Sequence, residues 1–447
     1  MNQRISRTLD KLRQSALVRG GLVVGAGILV GNITGFFRVI VTAYLLGTHA
    51  RADGLAVATG PIDTLNQIII NTMLVSFVPM LMLRPEAERA AIFARVGRAF
   101  ATVLLLLAAA IAVFASQIVS IIGPGLALEQ HQEATLLLRL LSPAVLFGGG
   151  SAIFAALLYT ERRFVAPSLY QACLNGGTII AAISLWKWIG VNGFAIGYVA
   201  GAIAQLIATW TLSRDLRARE SAVIRIDVRE MFAKPALYLV YASMISANVI
   251  TTRAFATHAG PGMAAAFDYC LRCVSVVVAY LVYPVANSLL PEIARLRGLN
   301  RTHEAYRLLD KSLGLMSIAS IAACAVGILL RTPAISILFE HGSFNGESTA
   351  LVSRVFLGFA PAIAAWAMLD LMSRCFFALD RPRMPVMASF IPITVNITVM
   401  LLIGRVKDPA LLALGASIGL AVACTAFFTS AHLNRKAMSM PEVVGVA

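Results

Sequence analysis

Twelve mostly apolar stretches, each near the 20 or so residues needed to cross a hydrocarbon core, dominate this sequence of 447 residues. They run Gly20–Leu46, Leu55–Leu83, Phe100–Ile122, Ala134–Tyr159, Ala166–Trp186, Ile189–Leu212, Leu237–Ala256, Met263–Leu290, Leu313–Leu330, Leu351–Leu379, Met384–Ile403 and Leu411–Leu433. Backbone in lipid must satisfy its own hydrogen bonds, so such stretches predict helices. The expected fold is all-α and integral to a membrane, with twelve transmembrane helices. Composition agrees: 59% of residues are apolar and 13% charged, whereas soluble folds carry about a quarter charged residues. This argues against a secreted disulfide scaffold, a disordered chain or a cytosolic enzyme with a peripheral anchor. The first stretch follows basic residues as a leader would, yet it is too long and lacks a clear cleavage site, so it reads as a retained span.

Loop charge tests the count independently, because Lys and Arg stay on the cytoplasmic side. One side receives Arg4, Arg7, Lys11, Arg13 and Arg19, then Arg84, Arg89, Arg95 and Arg98, then Arg162 and Arg163. It continues with the basic linker, the loop Arg295–Lys311, Arg381, Arg383, Arg435 and Lys436. The alternate loops hold only Arg51, Lys187, Arg253, Arg331, Arg405 and Lys407. Both termini are therefore expected in the cytoplasm. The net charge of +15 is explained as topology and not as nucleic-acid binding. Residues 1–19 form a basic segment with Ile5, Leu9, Leu12 and Ala16 at helical spacing, expected to lie on the inner leaflet as an amphipathic helix.

Internal matches divide the chain in two. An offset of 218 takes Arg163 to Arg381, Pro167 to Pro385, Gly197 to Gly415 and Gly201 to Gly419, and an offset of 212 takes Ser76–Pro79 to Ser288–Pro291. The expected organisation is a first six-helix half at 20–213, a cytoplasmic basic linker at 214–234, a second six-helix half at 235–434 and a cytoplasmic tail at 435–447. Six being even, the halves are parallel repeats, a design in which transporters place substrate between the repeats. The Gly197–Gly201 and Gly415–Gly419 pairs permit close helix approach, and packing is their weightier reading. Gly21, Gly25 and Gly27 offer a face to a partner helix, with packing inside the chain again weightier. No Walker A sequence occurs. Cys173, Cys270, Cys273, Cys324, Cys375 and Cys424 all lie in apolar stretches and read as buried small residues, and the scattered histidines offer no metal set. No cofactor is expected.

Charges within spans are costly and mark cavities or partners. The cations are Arg38, Arg139, Arg272, Arg354 and Arg374; the acids are Asp53, Asp63, Asp268 and Asp370. Arg139, Arg354 and Arg374 lie near span ends and can snorkel. Arg38 and Arg272 lie deeper, and a guanidinium forks onto phosphate through two charge-assisted hydrogen bonds. The competing interpretation is an internal ion pair, for example Arg272 with Asp268 at i,i+4.

These residues also carry a family resemblance. The segment GFFRVIVTAYLLGTHARADG, Gly35–Gly54, resembles the first-span signature of the MurJ/MviN lipid II flippases, with Arg38 and Asp53 on the family's basic and acidic positions. FDYCLR…SLLP, Phe267–Pro291, is similar to its eighth-span segment, with Arg272 on the important arginine. LFEHGSFNGESTALVSR, Leu338–Arg354, and SRCFFALDRPRMPV, Ser373–Val386, are the most specific matches. The resemblance implies the MOP exporter fold. It departs in places: alignment through Asp53 and Pro79 puts Asn66 and Gln67 where the family tends to have two arginines, Val39 replaces an acidic residue, and spans seven and eleven hold no Asp or Glu. The family usually has fourteen spans, the last two helping to form a lipid-tail groove. Twelve spans imply a shortened member with weak sensitivity to tail length.

The function expected is an alternating-access flippase, without covalent chemistry, moving a polyprenyl-pyrophosphate-linked saccharide, lipid II or a related envelope precursor, across the bacterial inner membrane. Arg38, Asp53, Arg272, Asn66 and Gln67 are the candidate substrate-binding residues. The partners expected are the lipid-linked saccharide and membrane lipids. The rivals are an ion-coupled exporter of small amphipathic molecules, a lipid-processing membrane enzyme, and a non-transporting envelope scaffold.

Overall fold

The computed structural model describes residues 2–82, 84–217, 228–403 and 408–439. The middle of the expected linker, the end of the expected tail, and the side chains of the N-terminal segment, including its expected amphipathic face, lie outside the described residues. The described elements are helical.

The first half of the chain contains α1 (Asn2–Leu46), α2 (Ala50–Thr72), α3 (Val78–Met82), α4 (Glu86–Val113), α5 (Ala115–Ile122), α6 (Leu128–Leu141), α7 (Pro143–Thr160), α8 (Val165–Ser168), α9 (Tyr170–Ile189), α10 (Asn192–Leu212) and α11 (Arg214–Arg217). The second contains α12 (Val228–Ala259), α13 (Met263–Gly298), α14 (Thr302–Phe339), α15 (Gly346–Phe359), α16 (Pro361–Ala378), α17 (Arg383–Ile403) and α18 (Pro409–Ser439). α1 carries the basic N-terminal residues and the first span in one continuous helix. α2 and α3 are joined by a π-helical turn, Met73–Phe77, in which the Val78 N–H donates to the Met73 carbonyl.

The chain forms two compact units. One comprises residues 1–46, 50–121 and 126–236; the other comprises 47–49, 122–125 and 237–447. In the first, α10 packs along α9 and α7, α1 along α9, and α2 along α6. In the second, α13 packs against α14 and α16, and α18 against α15, α16 and α17.

Ten described helical stretches are long and apolar enough to cross a membrane. The expected second and seventh spans are not among them. α2 carries Asp53, Asp63, Asn66 and Gln67, and α12 carries Asn248, Thr252, Arg253 and His258, which lowers their hydropathy. Elsewhere apolar side chains face outward: Leu106 is 65% exposed, Leu329 77% and Leu402 81%. Such surfaces belong in lipid.

Local chemistry explains the helix boundaries. Pro143 and Pro361 lack an N–H and begin α7 and α16, splitting the expected fourth and tenth spans. They are another pair at the 218 offset. The division between the fifth and sixth spans falls at Gly190, φ +56°, where a left-handed residue ends α9. Three more helices end in one capping motif. Arg162, Asn300 and Asp380 have φ of +57° to +59°, and the following arginine N–H reaches back five residues: Arg163 to Leu158, Arg301 to Leu296 and Arg381 to Phe376, at 2.8, 2.9 and 2.9 Å. Arg162 and Asp380 again differ by 218, so the repeat extends to backbone conformation.

Glycines set the helix spacing. A Cβ on Gly177 would meet the Gly197 carbonyl at 2.6 Å and Gly201 Cα at 2.8 Å; one on Gly419 would meet the Pro392 carbonyl at 2.7 Å. The small-residue pairs therefore pack α9 on α10 and α17 on α18. Gly27 abuts Ser168 in the same way, whereas Gly25 has nothing within 4 Å.

Candidate functional site

In the first unit, four helices deliver polar side chains to one place in an apolar surround. α2 presents Asp63 and Asn66 on one face, because residues three apart on a helix are neighbours. α1 presents Arg38, whose Nη2 lies 2.9 Å from Asp63 Oδ2. α10 presents Tyr198, whose hydroxyl donates to Asp63 Oδ1 at 2.8 Å and accepts from Asn66 Nδ2 at 3.3 Å. The Arg38 guanidinium sits 5.8 Å from the centroid of the Tyr198 ring, within cation–π range. α9 adds Tyr170, buried with no hydrogen-bond partner for its hydroxyl among the described residues, and close enough to interact electrostatically with Asp63 and Arg38.

The backbone makes room for this cluster. A Cβ on Gly148 of α7 would come within 2.8 Å of Asn66 Oδ1. Asn66 is 1% exposed and Tyr198 2%; the Asn66 amide nitrogen is satisfied by the Tyr198 hydroxyl, and its Oδ1 is buried with no hydrogen-bond partner among the described residues. Arg38 and Asp63 keep 22% and 37% of their side chains exposed. A part-exposed ion pair gains little net stability; the arrangement sets an ionised guanidinium beside hydroxyl and amide groups.

The sequence candidates separate accordingly. Arg38 and Asn66 meet through Asp63 and Tyr198. Gln67 is exposed, and Asp53, buried at 2%, lies ten residues before Asp63, about 15 Å along a helix axis. Arg272 belongs to α13 in the other unit.

That unit holds its own polar groups. Arg253, assigned to a loop by the charge count, is a buried residue of α12, and its Nε and Nη2 reach Asp268 Oδ1 of α13 at 2.8 and 2.7 Å. Asp268 thus has an arginine partner on another helix, one turn of α13 from Arg272. Asn396 of α17, fully buried, donates to Asn248 Oδ1 and Thr252 Oγ1 of α12 at 2.9 and 2.8 Å. Arg374 bonds Asp370 at 3.0 Å and lies 5.2 Å from the Tyr283 ring centroid. The acid-free spans seven and eleven are thus joined by neutral amides and a hydroxyl.

Tyr170, Tyr198, Asn248, Thr252 and Asn396 were not sequence candidates. Tyr198 sits within the Gly197–Gly201 packing pair, and spacing alone does not separate a functional tyrosine there from a packed one. The six cysteines are free thiols, and no group of three metal-ligating residues occurs among the described residues.

A family model described as "Lipid II flippase MurJ" matches residues 42–446. The chain belongs to the lipid II flippase MurJ family. A relative from Rhizobium meliloti (strain 1021), named probable lipid II flippase MurJ, is 27% identical over 413 residues, 86% of this chain and 75% of its own length. One from Burkholderia cenocepacia, named lipid II flippase MurJ, is 22% identical over 390 residues, covering 83% of this chain and 75% of its own. Among solved structures, a lipid II flippase MurJ in an inward closed conformation superposes with a TM-score of 0.81 at 20% identity, over 92% of this chain and 87% of that one. An inward-facing multidrug resistance MATE family transporter of the MOP superfamily gives 0.77 at 10% identity, over 92% of this chain and 96% of that one. The fold, all-α and multi-pass, is thus shared with both of these transporters.

Proposed function

We propose that this protein is a flippase for lipid II or a closely related polyprenyl-diphosphate-linked saccharide, working in the bacterial inner membrane by alternating access and without covalent chemistry. The observation that carries the reading is the Arg38 guanidinium in a buried set of hydroxyl and amide donors, in a chain of the lipid II flippase MurJ family. Forked hydrogen bonds from Arg38, with help from Tyr198, Tyr170 and Asn66, would hold diphosphate oxygens while the polyprenyl tail stays in lipid. Arg272 is the corresponding cation of the second unit, and 20–213 and 235–434 act as the moving halves about the linker 214–234. Gly25 leaves space for a partner helix.

The test is leaflet-resolved transport in proteoliposomes containing the purified protein and lipids that differ only in headgroup. Diphosphate-linked saccharides should cross and a neutral glycolipid should not. The acid Asp63, within the second expected span, gives the rival, an ion-coupled exporter, one point in its favour; gradient-driven efflux of amphipathic cations without lipid transport would select it.

From the loop-charge asymmetry we infer that both termini are cytoplasmic. In a variant lacking the native cysteines, single cysteines at Glu129, His258 and Asn345 should react with an impermeant reagent added to intact cells, and cysteines at Arg163 and Arg301 should not. The reverse pattern would invert the topology.

A further inference from the structure

The second unit holds an ion pair whose hydrogen-bonding capacity is only half used. Asp370 and Arg374 stand one turn apart on α16, and Arg374 Nε donates to Asp370 Oδ1 at 3.0 Å. Among the described residues, the two Nη groups of Arg374 and Oδ2 of Asp370 make no hydrogen bond. Aromatic rings from three helices surround the pair. Phe377 of α16 packs against Tyr238 and Tyr241 of α12, with ring centroids 5.7 and 5.5 Å apart. The Arg374 guanidinium lies 5.2 Å from the centroid of Tyr283 on α13, and Tyr238 is close enough to interact electrostatically with both Arg374 and Asp370. All six side chains are half-buried. We propose that this cluster is a saccharide subsite, which takes the sugar of the lipid-linked substrate; the inference rests on the flippase reading above.

The chemistry of a sugar matches each part. A pyranose ring has apolar C–H faces and a rim of hydroxyls, each able to donate and to accept a hydrogen bond. Aromatic side chains cover the C–H faces, and tyrosine does so with a polar end. The Nη groups donate to one hydroxyl while Asp370 Oδ2 accepts from its neighbour, both through charge-assisted bonds. Other occupants fit less well. A phosphate attracted by Arg374 is opposed by the carboxylate one turn away, and an alkyl chain would leave the guanidinium and carboxylate groups unpaired against it. Tyrosines also gather at membrane interfaces, but such a belt does not require three helices to converge on one ion pair. A few placed polar groups between apolar walls is the usual form of a small-ligand site. Arg374 lies one turn before the end of α16 at Ala378, with Arg381 and Arg383 following. In the topology inferred above that end is cytoplasmic, on the side from which the precursor departs.

The experiment measures binding of three probes to the full chain in lipid nanodiscs: a polyprenyl diphosphate, the same lipid carrying a neutral disaccharide, and an uncharged polyprenyl glycolipid with that disaccharide. In wild-type protein the disaccharide should tighten binding of the diphosphate lipid by about tenfold, equivalent to about 1.4 kcal/mol. The double variant Asp370→Leu/Arg374→Met removes the hydrogen-bonding pair at unchanged net charge and should abolish that gain. Tyr238→Leu should shrink it, and Tyr238→Phe, which keeps the ring, should preserve it. The uncharged glycolipid should bind wild type and lose affinity in the double variant and in Tyr238→Leu. Thermal unfolding in the same nanodiscs separates binding from folding, and if the double variant does not fold the Tyr238 pair decides. An equal gain from the disaccharide in wild type, the double variant and Tyr238→Leu would overturn the subsite and leave the flippase reading standing. A diphosphate that adds nothing to glycolipid affinity would count against that reading instead, while loss of glycolipid binding in the variants would still sustain the subsite.

Discussion

Arg38→Ala is expected to lower transport of a diphosphate-linked saccharide by about two to four orders of magnitude, because two charge-assisted hydrogen bonds contribute about 1.5–3 kcal/mol each. Arg38→Lys should also impair it, since an ammonium keeps the charge and loses the fork. Alanine also takes the cation from Asp63, whose carboxylate Arg38 contacts at 2.9 Å, and a part-buried carboxylate that loses its cation is itself destabilising. The double variant Arg38→Ala/Asp63→Asn separates the two effects. It should restore the yield of folded protein and leave transport low. Arg272→Lys and Arg272→Ala should follow the same order. Leaflet-resolved transport, normalised to the protein reconstituted, is the measurement, and unchanged rates in both alanine variants would exclude these arginines from the substrate path.

Gly197→Val is expected to abolish recovery of folded protein, although it touches none of the charged groups. Its Cβ would press on the Gly177 carbonyl, on Ala181 Cβ at 2.7 Å and on Thr178 Cα at 2.8 Å. Backbone cannot swing aside as the end of a side chain can, so α9 and α10 must separate, breaking the contact that holds Tyr170 and Tyr198 in one unit. Overpacking costs about 1–3 kcal/mol where side chains can adjust, and more is expected here. Gly419→Val should behave likewise against Pro392, whereas Gly25→Val should be silent. Size-exclusion profiles after heating in detergent would show the difference; a monodisperse Gly197→Val protein with wild-type melting would refute the packing role.

Hydropathy made the membrane fold legible, because lipid imposes a length and a polarity on each span. It was least informative where a span carries several polar side chains. α2 and α12 fall below the measure satisfied by ten other stretches, and those two helices carry Asp63, Asn66, Asn248, Thr252 and Arg253. The 218-residue offset was readable from Arg163 and Arg381, but its structural extent appears in Pro143 with Pro361 and in the left-handed Arg162 with Asp380. The pairing of Arg38 with Asp63 was not readable, because the two lie on different helices 25 residues apart and no local periodicity connects them. For the same reason the sequence set Asp268 beside Arg272, four residues on, and gave no sign of its contact with Arg253 on α12. Near-neighbour spacing finds partners along a helix; partners between helices require the packing to be known.

The π-helical turn at Met73–Phe77 bears on which insertions and deletions α2 can accept. A π turn houses one residue more than the α-helix around it, and here the extra residue is bridged by the bond from Val78 N–H to the Met73 carbonyl. Loss of one residue within the turn restores ordinary α-helical bonding and leaves the flanking segments in their present orientations. The same loss upstream, between Asp53 and Asp63, would rotate one against the other by about 100°, turning one buried acid from its neighbours. Length variation in α2 among descendants of this sequence should therefore collect in five residues and avoid the two turns on which Asp63 and Asn66 depend.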